Sequence, residues 1–106
     1  VGTEFGLFVL SGARRLHSRA ICKRLGTDRF RFAGRDELLA LTGLTPGCVP
    51  PFGEPILPLP LYVDRSMSGP GKIAFNAGSH TVSMILDRED WLALAKPADV
   101  FDFSRP

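Results

Sequence analysis

A chain of 106 residues, 44% hydrophobic and 23% charged with a formal net charge of +2, has the size and composition of one small folded domain. That balance excludes a disordered tail, and no run approaches the roughly 18 apolar residues that a membrane span needs. The apolar run near the N-terminus has no basic segment ahead of it, so no signal peptide is expected. Two cysteines, Cys22 and Cys48, in unrelated surroundings make no disulfide framework. Together with the separated His17 and His80 they offer no zinc spacing. A reducing cytoplasmic setting, with no metal and no cofactor, is the expectation.

In chain order, Phe5 to Leu10 is a dense apolar run that predicts a buried strand. It begins almost at once after Val1, as in a chain entering a fold already under way. Apolar residues at 16, 20, 21 and 25 predict an amphipathic helix over Leu16 to Leu25, closed by Gly26, with Cys22 as a buried free thiol. RFRFA over Arg29 to Ala33 alternates, which predicts a short strand with Phe30 and Phe32 on one face. Asp36 to Leu41 predicts a second short helix, acidic at its start and stopped by Gly43.

From Thr45 to Pro60, six prolines and two glycines occur in sixteen residues, interleaved with Val49, Phe52, Ile56, Leu57 and Leu59. A flexible linker would lack those apolar residues, so an ordered, proline-pinned loop is predicted. Leu61 to Asp64 then reads as a strand and Arg65 to Gly71 as a turn. Lys72 to Asn76 and Thr81 to Leu86 read as paired strands joined through Ala77-Gly78-Ser79-His80. A helix follows from Asp87, with Trp91, Leu92 and Leu94 as its apolar face and Pro97 as its stop. Val100 to Phe103 reads as an edge strand. The order predicts an α+β (mixed α/β) fold: one compact domain over residues 1–106, with a central mixed sheet flanked by short helices.

No G-x-S-x-G, H-E-x-x-H, Walker or C-x-x-C pattern is present. The chemistry on offer is a loop containing Gly43, Gly47, Pro50, Pro51 and Gly53, then Asp64, then the Asn76 to His80 turn. Gly47 lets backbone approach a ligand closely, and Pro50 and Pro51 stiffen the loop. Backbone N–H groups so held can donate to a carbonyl oxygen that gains charge during hydrolysis. On spacing alone, a rigid connection without a ligand is the favoured reading of the loop. Asp64 reads either as a site-rim carboxylate or as a strand-end cap. His80 reads as a substrate contact or as an exposed turn histidine. Basic residues Arg14, Arg15, Arg19 and Lys23 form a cluster able to attract a phosphate backbone; a solvated helix face is the other reading.

LTGLTPGCVPPFG, followed by LPLYVD and KIAFNAGSHTVSMIL, resembles the YbaK-like family of aminoacyl-tRNA deacylases, which includes the editing domain of bacterial prolyl-tRNA synthetases. The likeness runs from about Phe5 to Asp99. It rests on the Thr42-Gly43 opening, a G-x-x-x-P loop from Gly47 to Pro51 ending in Phe52 and Gly53, a strand ending in Asp64, and the glycine-containing turn. The resemblance implies a trans-editing hydrolase that cleaves the ester of mischarged aminoacyl-tRNA. The Gly47 backbone amide would polarise the carbonyl. Thr42, Gly43, Cys48, Val49, Pro50, Pro51, Phe52, Gly53, Asp64, Gly78, Ser79, His80 and Ser83 would surround the aminoacyl group. The partners implied are the acceptor end of tRNA and an aminoacyl-tRNA synthetase, with no membrane and no DNA. Two departures stand out. The family's important lysine lies on a strand upstream of the opening apolar run, and neither Lys23, Lys72 nor Lys96 inherits its place. Ser83 falls where several relatives are acidic. A non-catalytic tRNA- or synthetase-binding module with the same fold therefore stands as the alternative.

Overall fold

The computed structural model describes residues 5–11, 13–27, 29–54, 56–78 and 81–106. In chain order come β1 (Leu7–Val9), β2 (Arg15–Leu16), α1 (Ser18–Leu25), α2 (Arg35–Thr42) and β3 (Leu61–Asp64). A 3₁₀ turn (Arg65–Met67) leads to β4 (Lys72–Asn76), β5 (Ser83–Asp87), α3 (Arg88–Ala95), β6 (Asp99–Phe101) and β7 (Ser104–Arg105). The fold is mixed α/β with a central sheet, as expected. That sheet is wholly parallel, in the order β1-β3-β6, and among the described residues antiparallel pairing is confined to the β4–β5 hairpin and the β2–β7 ladder.

Strand β3 explains the layering. Its side chains alternate between faces, and both faces are covered, as parallel strands require. Leu61 and Val63 join Met67, Ile73, Trp91 and Ala95 in one core, which seats α3 and the β4–β5 hairpin on that side. Tyr62 faces the other way, into a cluster with Ile21 of α1, Phe101 and Phe103. There Phe8 stacks on Tyr62 at 4.9 Å between centroids.

Several elements differ from the sequence expectations. Arg29 to Ala33 forms no strand. Phe30 packs edge-on against Phe8, but Phe32 is 76% exposed, and Arg31 forks onto Glu37 at 2.6 and 2.7 Å. That fork, with a bond from Gly34 N–H, holds the Glu37 carboxyl down to about 2 and starts α2. An extended segment pinned to the next helix has no free edge to pair. Leu16 belongs to β2, and α1 starts at Ser18. Cys22 is half-buried and free where a buried thiol was expected. Leu94 is exposed, and the inner face of α3 is Trp91 and Ala95 with Leu92 half-buried. The β2–β7 ladder escaped the sequence because two residues are too short for a periodic signal.

Asp64 ends β3 as a buried carboxylate, 1% exposed. It accepts from Ser66 N–H (3.0 Å), Phe103 N–H (2.7 Å) and the Ser104 hydroxyl (2.7 Å). Of its two readings, these contacts describe the cap. Arg14 donates to the same Ser104 hydroxyl at 2.6 Å, so a cation stands one hydroxyl away. Burial alone would raise the carboxyl, but the Ser104 and Ser66 bonds outweigh it and hold it below the usual carboxylate range. A depressed carboxyl contributes stability above its unfolded pKa, and that stability is lost as pH falls through the folded value. Asp64→Asn is therefore expected to cost about 2–3 kcal/mol at neutral pH. It should also flatten the loss of stability on acidification below about pH 4. Urea unfolding of both proteins between pH 7 and pH 3 checks this, and parallel acid profiles would contradict it.

Candidate functional site

The described residues of the Thr45 to Pro60 segment form a loop without regular structure, in which Cys48, Pro51, Gly53, Leu57 and Leu59 are buried. Internal bonds give it shape: Cys48 N–H to Thr45 O (3.1 Å), Phe52 N–H to Pro50 O (2.9 Å) and Leu57 N–H to Gly53 O (2.9 Å). Gly53 lies so close to the start of β3 that a Cβ would fall 2.8 Å from Leu59 O and 2.9 Å from Leu61 Cβ. Only glycine fits there.

Three outside contacts then fasten the loop to the fold. The Trp91 indole Nε1–H, wholly buried, donates to Pro51 O at 2.8 Å. The Asn76 side-chain amide donates to Gly47 O. Gly78 N–H donates to Cys48 O at 3.0 Å. Ser83 supports Asn76 through a bond from its hydroxyl to Oδ1 at 3.3 Å. Gly47 is held at φ +89°. Among the described residues, neither the Gly47 nor the Val49 amide donates a backbone hydrogen bond.

So fastened, Val49, Pro50 and Pro51 form one wall of an open groove of about 460 Å³. Leu7 to Ser11 from β1 and its exit, and Ile73 to Phe75 from β4, supply its apolar surfaces. Met67, Lys72 and Arg88 complete the lining. Lys72 forms an exposed ion pair with Asp87 at 2.8 Å, which holds the ammonium above its usual range. Arg88 is half-buried and donates to Ser66 O (3.2 Å) and Lys72 O (3.3 Å).

The structure thus gathers Gly47, Cys48, Val49, Pro50, Pro51, Gly78 and Ser83 around one clamp. Other candidates lie elsewhere. Thr42 and Gly43 end α2: the Thr42 hydroxyl donates to Leu38 O at 2.8 Å and Gly43 N–H to Leu39 O at 2.8 Å. Phe52 packs edge-on against Phe75 at 5.6 Å. Cys48 turns into the protein, its Sγ 3.5 Å from Thr45 Oγ1. Ser79 and His80 lie outside the described residues. Arg14 is drawn inward to Ser104, whereas Arg15, Arg19 and Lys23 are exposed. Arg15 sits directly opposite Arg105 in the β2–β7 ladder, and Arg19 and Arg105 line a small cleft with His17.

Sequence reasoning missed the β1 wall, Asn76 as the clamp, Arg88 and Arg105. For Arg88 one local signal existed, since a cation at the first position of a helix opposes the helix dipole. The other three depend on long-range pairing and leave no local mark.

These features define a small α/β domain with a stiff loop walling an open groove lined mainly by apolar side chains. The chain belongs to the aminoacyl-tRNA editing domain family, which residues 2–94 match. No curated protein matches it. Among solved structures it is similar to a scaffold protein from a study of epitope backbone grafting by computational design. That match has 29% identity and a TM-score of 0.80, over 95% of this chain and 65% of that one. It is also similar to a hypothetical protein (26%, TM-score 0.78, covering 92% and 63%). A third is a candidate trans-editing enzyme for prolyl tRNA synthetase (29%, TM-score 0.77, covering 95% and 62%). The chain spans less than two thirds of the length of each.

Removing the clamp should loosen the loop while sparing the sheet. Asn76→Ala is expected to cost about 1 kcal/mol and to speed amide exchange at Cys48 and Gly78, leaving Tyr62 and Val63 unchanged. Hydrogen–deuterium exchange checks this, and unaltered loop exchange would remove Asn76 from the clamp.

Proposed function

We propose that this domain hydrolyses the ester joining a wrong amino acid to the 3′ end of tRNA. The observation that carries the reading is the clamped loop forming one wall of a groove lined mainly by apolar side chains, in a member of the editing family. The apolar surfaces of β1 and β4 receive the amino-acid side chain. The Gly47 and Val49 amides, not spent on backbone bonds among the described residues, supply donors for the ester carbonyl oxygen. A water adds to the carbonyl carbon, oriented by the substrate's terminal ribose and the loop. The bond to the ribose oxygen then breaks and that oxygen takes a proton, releasing free amino acid and intact tRNA. Selection rests on groove size, where one methylene is worth about 1–3 kcal/mol.

A panel of mischarged tRNAs tests this, with release of amino acid as the readout. Gly47→Ala is expected to stay folded at a cost of about 1–2 kcal/mol, because φ +89° is strained for a residue with a Cβ. Its turnover should fall at least about tenfold, because the added Cβ blocks close approach of the ester to the Gly47 amide and a displaced donor costs more than that. Hydrolysis of no panel member by the wild-type chain would end the deacylase reading.

One observation favours the alternative of a non-catalytic tRNA-binding module. Among the described residues, the polar side chains lining the groove are Ser11, Lys72 and Arg88, none of them a ready general base. Both readings need contact with the tRNA backbone, for which Arg15, Arg19, Lys23 and Arg105 form the exposed surface. Arg15→Gln and Arg19→Gln should each reduce the slope of log affinity against log salt by about 1. Binding titrations between low and moderate salt measure this, and an unchanged slope would place the tRNA on another face.

A further inference from the structure

We propose that Arg88 is the anchor for the 5′-phosphate of the nucleotide carrying the ester, so that the groove binds a complete 3′-aminoacyl nucleotide, not an amino acid alone. The proposal rests on the editing reading and adds to it a recognition residue and a ligand charge.

Arg88 is a half-buried cation in a groove whose lining side chains are mostly apolar. Among the described residues no carboxylate pairs with it, and its neighbour Asp87 is engaged by Lys72. A charge withdrawn from water needs a counter-charge. Its guanidinium is nonetheless held in place: Nε donates to Lys72 O and Nη1 to Ser66 O, and Gly71 passes so close that a Cβ there would lie 3.5 Å from Nε. Two carbonyls fix the plane of the fork and leave Nη2 without a protein acceptor among the described residues. A planar fork with a free edge is suited to an oxyanion. Helix stability does not account for the residue, because a cation at the first position of α3 opposes the dipole.

Strand β4 measures the groove. Arg88 bonds the carbonyl of Lys72 at one end, and Asn76 at the other end bonds the carbonyl of Gly47. Four residue steps of strand, about 13 Å at ~3.3 Å per residue, separate Lys72 from Asn76, longer than the span from a 5′-phosphate to a 3′-ester, so both groups fit along it. The anion is a phosphate because the amino acid's own carboxyl is neutral once esterified. The nearest formal negative charge on such a ligand is the 5′-phosphate.

The test uses 3′-aminoacylamino-3′-deoxyadenosine, a non-hydrolysable amide analogue, with and without a 5′-phosphate. Calorimetry should show at least about tenfold tighter binding of the phosphorylated form to the wild-type chain. The gain should fall below twofold in Arg88→Gln and be kept in part by Arg88→Lys. Should Arg88→Gln fail to fold, the Arg88 Nε–H resonance of the wild type decides: it should shift with AMP and stay still with adenosine. Equal affinity for both analogues, or a motionless Nε–H signal, overturns the anchor while leaving the editing reading intact. Binding of neither analogue overturns both.

Discussion

The hydrogen bond from the Trp91 indole to the Pro51 carbonyl is the contact on which the rest of the site depends. Trp91 is wholly buried between α3 and β3, and burying so large a ring is worth on the order of 4 kcal/mol. A buried indole N–H must find an acceptor. By taking Pro51 O, it ties the core to the loop that walls the groove. The loop thereby shares the rigidity of the core, although it has no regular structure of its own. Neither proline brings a backbone N–H to the loop, so the contacts to their carbonyls matter the more.

The β4–β5 hairpin holds the other end of the same loop. Asn76 reaches Gly47 O and Gly78 reaches Cys48 O, so two consecutive carbonyls are directed toward the hairpin. Among the described residues, the amides of Gly47 and Val49 donate no backbone hydrogen bond. A preorganised donor is useful because it is not rearranged when charge develops on a ligand. The same strand carries Arg88's anchorage at its Lys72 end. The groove thus has the Val49 to Pro51 wall and a fixed cation, Arg88, in one lining.

Asp64 does comparable work beyond the groove. Its carboxylate draws Ser66, Phe103 and Ser104 to the end of the central strand, fixing the exits of β3 and β6. Through Ser104 it also engages Arg14. An arginine that looks like part of a basic patch in the sequence thus belongs to the interior network. The exposed basic surface is built instead from Arg15, Arg19 and Lys23 with Arg105, about ninety residues further along the chain than Arg15.

Local chemistry determined what was legible in the sequence. The strands Leu61–Asp64 and Lys72–Asn76, the helix after Asp87 and the stiff proline loop all carry their signals within a few residues. Alternation, glycine stops and fixed proline dihedrals are local properties. Gly47 and the prolines could therefore be picked out as a stiff loop from sequence alone. What that loop faces could not. The wall from Leu7 to Ser11 meets it only because β1 and β3 run parallel in register, Leu7 beside Leu61. Arg29 to Ala33 shows the opposite failure, where a strand-like alternation was overridden by the Arg31–Glu37 fork. The sequence by itself determined the stiff pieces and their order. The tertiary structure alone decided which carbonyls are occupied, which cations stay free and which surfaces form the groove, because those depend on contacts between residues tens of positions apart.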